Sequence, residues 1–174
     1  MKMSAVLPHV LLTAALILPH TAAAQTLVPF SDPKLPYSFS HPQGWLGVEL
    51  GDKTSGVSMV SGKTPPATMI RLLYAPKAGG QTLNLTEQFT GYEQGLKSTG
   101  VSVRPQSSYP VSYGGLRGME REYIVSSGKK SIKMRVWFAQ GNKNLYYFQL
   151  SDTVERYPTS SLLFTKVMRT VRFK

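Results

Sequence analysis

The sequence predicts an α+β protein with one antiparallel sheet and a helix on each of its faces. Three observations carry this. The stretch Gly115–Leu150 reads as three strands in succession, cut by Ser126-Ser127-Gly128-Lys129 and by Gln140-Gly141-Asn142-Lys143. Gly and Asn in both interruptions suit tight hairpin turns, which need positive φ. Both faces of this meander are apolar, with Trp137, Tyr146, Phe148 and Leu150 on one and Met119, Val136, Phe138, Leu145 and Tyr147 on the other. Two further segments carry helical periodicity, so each face has a layer to pack against it.

The first 24 residues read as a signal peptide. Lys2 supplies a positive n-region, Val10–Leu18 a short apolar run, and Ala22-Ala23-Ala24 a small-residue cleavage site before Gln25. The run is too short to span a bilayer, which takes about 20 residues. There is no twin Arg, and the absence of Cys excludes a lipidated N-terminus, thiol chemistry and Cys-based metal sites. The expectation is Sec-type export to a periplasm or the medium. Cleavage leaves a chain the size of one ordinary domain, which needs no disulfide staples.

Gln25–Pro36, with three prolines, reads as an extended N-terminal segment, and 37–174 as a single domain. Tyr37–His41 alternates and stops at the turn Pro42-Gln43-Gly44, and Trp45–Leu50 follows as a short strand. Beyond the polar loop Gly51–Gly56, Val57–Val60 is a weak strand. Thr68–Tyr74 is apolar on both sides, as a central strand is.

The first helix starts after Asn84, with Glu87 three residues on in a capping-box pattern. Leu85, Phe89, Tyr92 and Leu96 share one of its faces, and Gly100 ends it. Val101–Val111 contains Pro105 and Pro110, which suits an edge strand. The second helix starts near Pro158, with Leu163, Phe164, Val167, Met168 and Val171 as its stripe.

Within the meander, a Ser127-Gly128 loop places Glu122 opposite Lys133, Glu120 opposite Arg135, Tyr123 opposite Ile132 and Met119 opposite Val136. Gly118 then falls opposite Trp137, whose indole can cover its bare backbone. The acid–base pairs share one face as a cross-strand ladder, each pair worth about 0.2–1 kcal/mol.

Tyr37-Ser38-Phe39-Ser40-His41-Pro42-Gln43-Gly44-Trp45 resembles the opening of PsbP-like proteins, where an aromatic-x-aromatic strand runs into a Pro and a Trp. The sequel is similar too: a mid-chain helix, a Gly-Leu-x-Gly entry to a long meander, and a C-terminal helix ending near Val171-Arg172-Phe173. The resemblance covers Pro36–Phe173. It implies an α/β/α sandwich shared by photosystem II extrinsic subunits, a nuclear Ran-binding factor and bacterial envelope proteins. It also implies a mostly non-catalytic role in binding or assembling other proteins, and it transfers no functional residues.

Nothing in the sequence resembles an active site. His41 is the one histidine left after cleavage, too few for a metal site, and no Gly-x-Ser-x-Gly elbow accompanies it for a hydrolytic triad. Glu120 and Glu122 are spaced as a carboxylate pair but face cations. Asn84-Leu85-Thr86 is a glycosylation sequon that also explains itself as a cap, and Gly79-Gly80 lacks the Lys of a phosphate loop. No cofactor is expected.

Charge is the remaining signal. The formal net charge is +11, and residues 102–174 carry thirteen Lys/Arg against four Asp/Glu. Such asymmetry points to an anionic partner, or to a solvated basic face that only keeps the chain in solution. The candidate partner-binding set is Lys129, Lys130, Lys133, Arg135 and Lys143 with Trp137 and Tyr146. Basic residues among aromatics also suit nucleic acid, which export argues against. The expected function is therefore an exported, non-catalytic binding or accessory module. It would engage a protein or an anionic envelope polymer or membrane surface, with oligomeric state open. A hydrolase of envelope material and a carrier of an apolar ligand are the alternatives. A closed, carboxylate-lined cleft would mark the hydrolase, and an apolar cavity above Trp137 the carrier.

Overall fold

A computed structural model describes residues 25–52 and 54–174. The expected signal peptide, residues 1–24, lies outside the described residues. In chain order the elements are β1 (Leu27–Ser31), β2 (Tyr37–Pro42), β3 (Leu46–Gly47), β4 (Ser55–Val60), β5 (Met69–Pro76), α1 (Leu85–Ser98), β6 (Ser102–Tyr113), β7 (Leu116–Ser127), β8 (Lys130–Gln140), β9 (Asn144–Thr153), α2 (Tyr157–Thr170) and β10 (Arg172–Phe173). A seven-stranded antiparallel sheet has the order β3-β4-β5-β9-β8-β7-β6, and a three-stranded sheet the order β1-β2-β10.

The expected layering holds, and two apolar clusters fill it. On one face, α1 presses Phe89 onto Tyr123, Val136, Phe138 and Leu145. On the other, α2 and the small sheet bring Phe164, Val167, Met168, Tyr37 and Phe39 onto Trp137, Phe148 and Leu150. Strand alternation assigns each meander residue to one of these clusters. The small sheet is a second sheet beyond the one the sequence predicts. The proline-rich lead-in hides β1, which pairs with β2 from Leu27↔Pro42 to Ser31↔Ser38.

Local signals act as expected at α1. The Asn84 side chain accepts from the Thr86 N–H at 3.0 Å, and Gly100 follows the end with φ 84°. Pro158 sits in the first turn of α2. β6 is an edge strand whose register shifts between Pro105 and Ser107. The strand expected over Trp45–Leu50 shrinks to the two residues of β3.

The β7–β8 register needs correction. The ladder pairs Ser127 with Lys130, so the loop is Gly128-Lys129 rather than Ser127-Gly128. Gly128, at φ 57°, stands first in this loop, whereas the expected loop has Ser127 first and Gly128 second. Moving the loop by one residue moves the register by two. Glu122 therefore faces Arg135, Glu120 faces Trp137, Tyr123 faces Met134, Met119 faces Phe138 and Gly118 faces Ala139. An even shift keeps every side chain on its expected face, which is why the layering survives.

Candidate functional site

The fold scatters the seven residues singled out by charge and aromaticity. Lys129 and Lys130 are exposed at the β7–β8 turn, and Lys143 is exposed in the β8–β9 loop. These two turns cap opposite ends of β8, whose length separates them by about 30 Å. Lys133 is half-buried between them. Arg135 and Trp137 are 7% and 0% exposed, so they belong to the interior rather than to an open binding face, and Tyr146 is 3% exposed. Odd-numbered β8 residues point at α2, which is why the second half of the strand carries its basic and aromatic groups inward.

Diagonal contacts rescue the expected ion pairs. Lys133 Nζ lies 3.1 Å from Glu122 Oε2, and Arg135 Nε 2.6 Å from Glu120 Oε1, although neither pair is directly opposite in the ladder. Only the first resembles a surface ladder. Glu120 is fully buried, and its carboxylate accepts from the Tyr109 and Tyr113 hydroxyls as well as from Arg135. Arg135 also donates to Tyr113 Oη at 2.8 Å, to Ser161 O at 3.1 Å and to Thr165 Oγ1 at 2.7 Å, which ties the sheet to α2. Burial works against the Arg135 charge, but the Glu120 carboxylate outweighs it and holds the guanidinium pKa above its ordinary value. Burial alone would raise the Glu122 pKa. The Tyr157 hydroxyl, 2.6 Å away, and Lys133 reverse that and pull it below the usual carboxylate range. The arrangement is a saturated structural network, with each partner occupied by another.

Lys143 and Tyr146, by contrast, come together in a cleft of about 550 Å³. Three segments far apart in sequence build it: the lead-in Pro33–Pro36, the β8–β9 loop, and the C-terminal Phe173-Lys174. Tyr74, Tyr146 and Phe173 form the floor, with the Tyr146 and Phe173 rings 4.5 Å apart between centroids. Lys34, Lys143 and Lys174 stand on the rim. Lys174 is held there by its Nζ donating to Asp32 O at 2.8 Å and its N–H to Pro36 O at 3.0 Å. The Asp32 carboxylate accepts from the Lys34 N–H at 2.8 Å. Lys34 and Lys174 escaped sequence reasoning, because no local pattern relates them to residue 143.

Elsewhere the chemistry is sparse. His41 Nδ1 lies 3.1 Å from Pro42 O. Among the described residues no group of three or more His, Cys, Asp or Glu could hold a metal ion, and no helix is long and apolar enough to cross a membrane. Trp137 is packed against Tyr113, Phe148 and Phe173, and its Nε1 donates to Val111 O at 3.1 Å.

No protein-family model matches this sequence, and no curated protein matches it. Solved structures do. The solution structure of cyanobacterial PsbP (CyanoP) from Synechocystis sp. PCC 6803 is 19% identical, with TM-score 0.68 over 88% of this chain and 96% of that one. LpqN, involved in cell envelope biogenesis of Mycobacterium tuberculosis, is 12% identical, with TM-score 0.63 over 86% and 91% of the two chains. The Saccharomyces cerevisiae Ran-binding protein Mog1p is 8% identical, with TM-score 0.58 over 86% and 96%. At these identities the likeness is one of fold.

Proposed function

We propose that this chain, which has the PsbP-like fold, is an exported, non-catalytic binding or accessory module that engages an anionic partner through a basic surface. One observation carries the reading. Three of the four acids in residues 102–174, Glu120, Glu122 and Asp152, are tied up in ion pairs with Arg135, Lys133 and Arg156. Internal pairing therefore spends the acids and leaves exposed cations such as Lys129, Lys130, Lys143, Lys166 and Arg169 without an acidic partner among the described residues. Such a surface attracts polyanions over a Debye length and releases them as salt rises.

The structural relatives fit a binding role. Mog1p is a Ran-binding protein, and LpqN takes part in cell envelope biogenesis. A protein or an anionic envelope component is accordingly the partner class. The cleft is rimmed by lysines rather than by the paired carboxylates of a glycoside hydrolase, and the packing on Trp137 fills the place an apolar ligand would need.

The test is association of the mature protein with heparin and with vesicles containing phosphatidylglycerol, at about 0.02 M and about 0.15 M salt. Binding that weakens steeply across that range supports the reading, and salt-insensitive binding or none defeats it. Intact mass of protein from an exporting host tests export: a chain beginning at Gln25 is expected, and retention of residues 1–24 overturns that half.

A further inference from the structure

The geometry points to a more specific partner: we propose that the cleft between the lead-in, the β8–β9 loop and the C-terminal strand takes a short, extended acidic segment of a partner protein. This rests on the reading of the chain as a binder of anions, and it names the site and the chemistry recognised. Three observations favour a peptide.

First, the rim is cationic on three sides. The Lys34 and Lys143 ammonium groups make no hydrogen bond or ion pair among the described residues, so both are available to carboxylates. The Asp32 carboxylate, which accepts from the Lys34 backbone N–H, keeps its negative charge but is not among the residues that line the cleft.

Second, the floor is aromatic and rigid. Tyr146 and Phe173 pack on Phe148, and Phe173 stacks on Trp137 at 6.3 Å between centroids, so the floor is an outcrop of the core. Such a floor takes an apolar side chain at little ordering cost.

Third, unpaired peptide groups border the cleft. Lys174 N–H bonds to Pro36 O, and Phe173 pairs with Tyr37 one step along. Antiparallel ladders alternate bonded and non-bonded pairs, so the Phe173 N–H and C=O turn away from β2. β10 is the last strand of its sheet, and an extended segment is the ligand that uses a free strand edge. Asn142 and Asn144, which also line the cleft, add amide donors and acceptors.

The test uses the mature chain and a fluorescein-labelled octapeptide of alternating Glu and Ala with one central Tyr, read by anisotropy. Controls are the same peptide with Gln for Glu, heparin, and phosphatidylglycerol vesicles. Wild type should bind the acidic peptide and not the Gln peptide. Lys34→Glu with Lys143→Glu should weaken it about tenfold or more, while Lys63→Glu with Lys97→Glu, the same charge change on exposed sites away from the cleft, should change it far less. The thermal midpoint of the cleft double variant should match wild type, while Lys97→Glu, in the last turn of α1, should lower that of the control slightly. The inference is overturned if the Gln peptide binds equally, if the two double variants weaken binding alike, or if vesicles but not peptide compete for the cleft. Heparin binding without peptide binding overturns the cleft alone. Failure to bind either anion overturns the underlying reading as well.

Discussion

The Trp137 indole covers Gly118 diagonally, two residues from Gly118's own ladder partner Ala139. A Cβ at position 118 would overlap both the Phe138 carbonyl and the indole ring, so glycine is required there by close approach rather than by φ. Trp137 is fully buried and donates to Val111 O, so the contact also ties edge strand β6 to the centre of the sheet.

Trp137→Ala is expected to destabilise the protein by about 3–5 kcal/mol, the range for a buried large aromatic. Gly118→Ala should also destabilise, because backbone lies on one side of the new methyl and a packed ring on the other. Urea unfolding monitored by far-ultraviolet circular dichroism measures both. A loss below about 1 kcal/mol for Trp137→Ala would mean that the indole is not core.

The Glu120–Arg135 pair should behave as a buried pair, not as the exposed ladder its sequence spacing suggests. Arg135→Met alone leaves the Glu120 charge buried and should cost about 3–5 kcal/mol. Combining it with Glu120→Leu should recover much of that loss, since an apolar pair leaves no unpaired charge. A double-mutant cycle in urea checks the difference, and additive losses would contradict it.

Stability should fall at both extremes of pH. The folded-state pKa values of Glu122 and Asp152 are depressed, burial being outweighed by Tyr157 and Lys133 in one case and by Arg156 and Thr68 in the other. Hydrogen bonds from Thr54 and Arg71 hold Asp52 down to about 2. A depressed carboxylate contributes fully above its unfolded pKa of about 4 and loses that contribution as pH falls through the folded value. On the alkaline side, burial pushes the Tyr113 pKa up to about 12, with the Glu120 carboxylate adding to the rise. A raised tyrosine contributes fully below about pH 10 and loses its contribution as pH climbs through the folded value. Thermal midpoints should therefore be flat near neutrality, fall below about pH 4 and fall again above about pH 10. Phenolate absorbance should lag free tyrosine until unfolding.

Lys129→Glu with Lys130→Glu should leave stability within about 0.5 kcal/mol, because both side chains are exposed at a turn. If the hairpin tip belongs to the basic surface proposed for binding, the same variant should lose association with heparin and anionic vesicles. Unchanged binding by this variant would remove the tip from that surface.

Local chemistry by itself determined the two helices, the strands of the meander and the faces of both. The cap of α1 at Asn84, the start of α2 at Pro158 and the period-2 alternation of the meander act over a few residues, so they are legible in one stretch of chain. Alternation assigns a side chain to a face whatever its partner, and a register error of two residues left both layers intact. Which turn residue takes the left-handed position, and hence which side chains meet directly, was not legible locally, because Ser127-Gly128 and Gly128-Lys129 both offer Gly128 to the turn and the Trp137 indole covers Gly118 in either register. Depth was equally invisible: Glu120 and Lys129 are both charged residues of one hairpin, yet α2 and β6 bury the first and nothing covers the second. The cleft is the clearest case. Lys34, Lys143 and Lys174 share a rim only because β10 pairs with β2 beside the β8–β9 loop, and contact between such distant segments follows from tertiary packing, not from any local period.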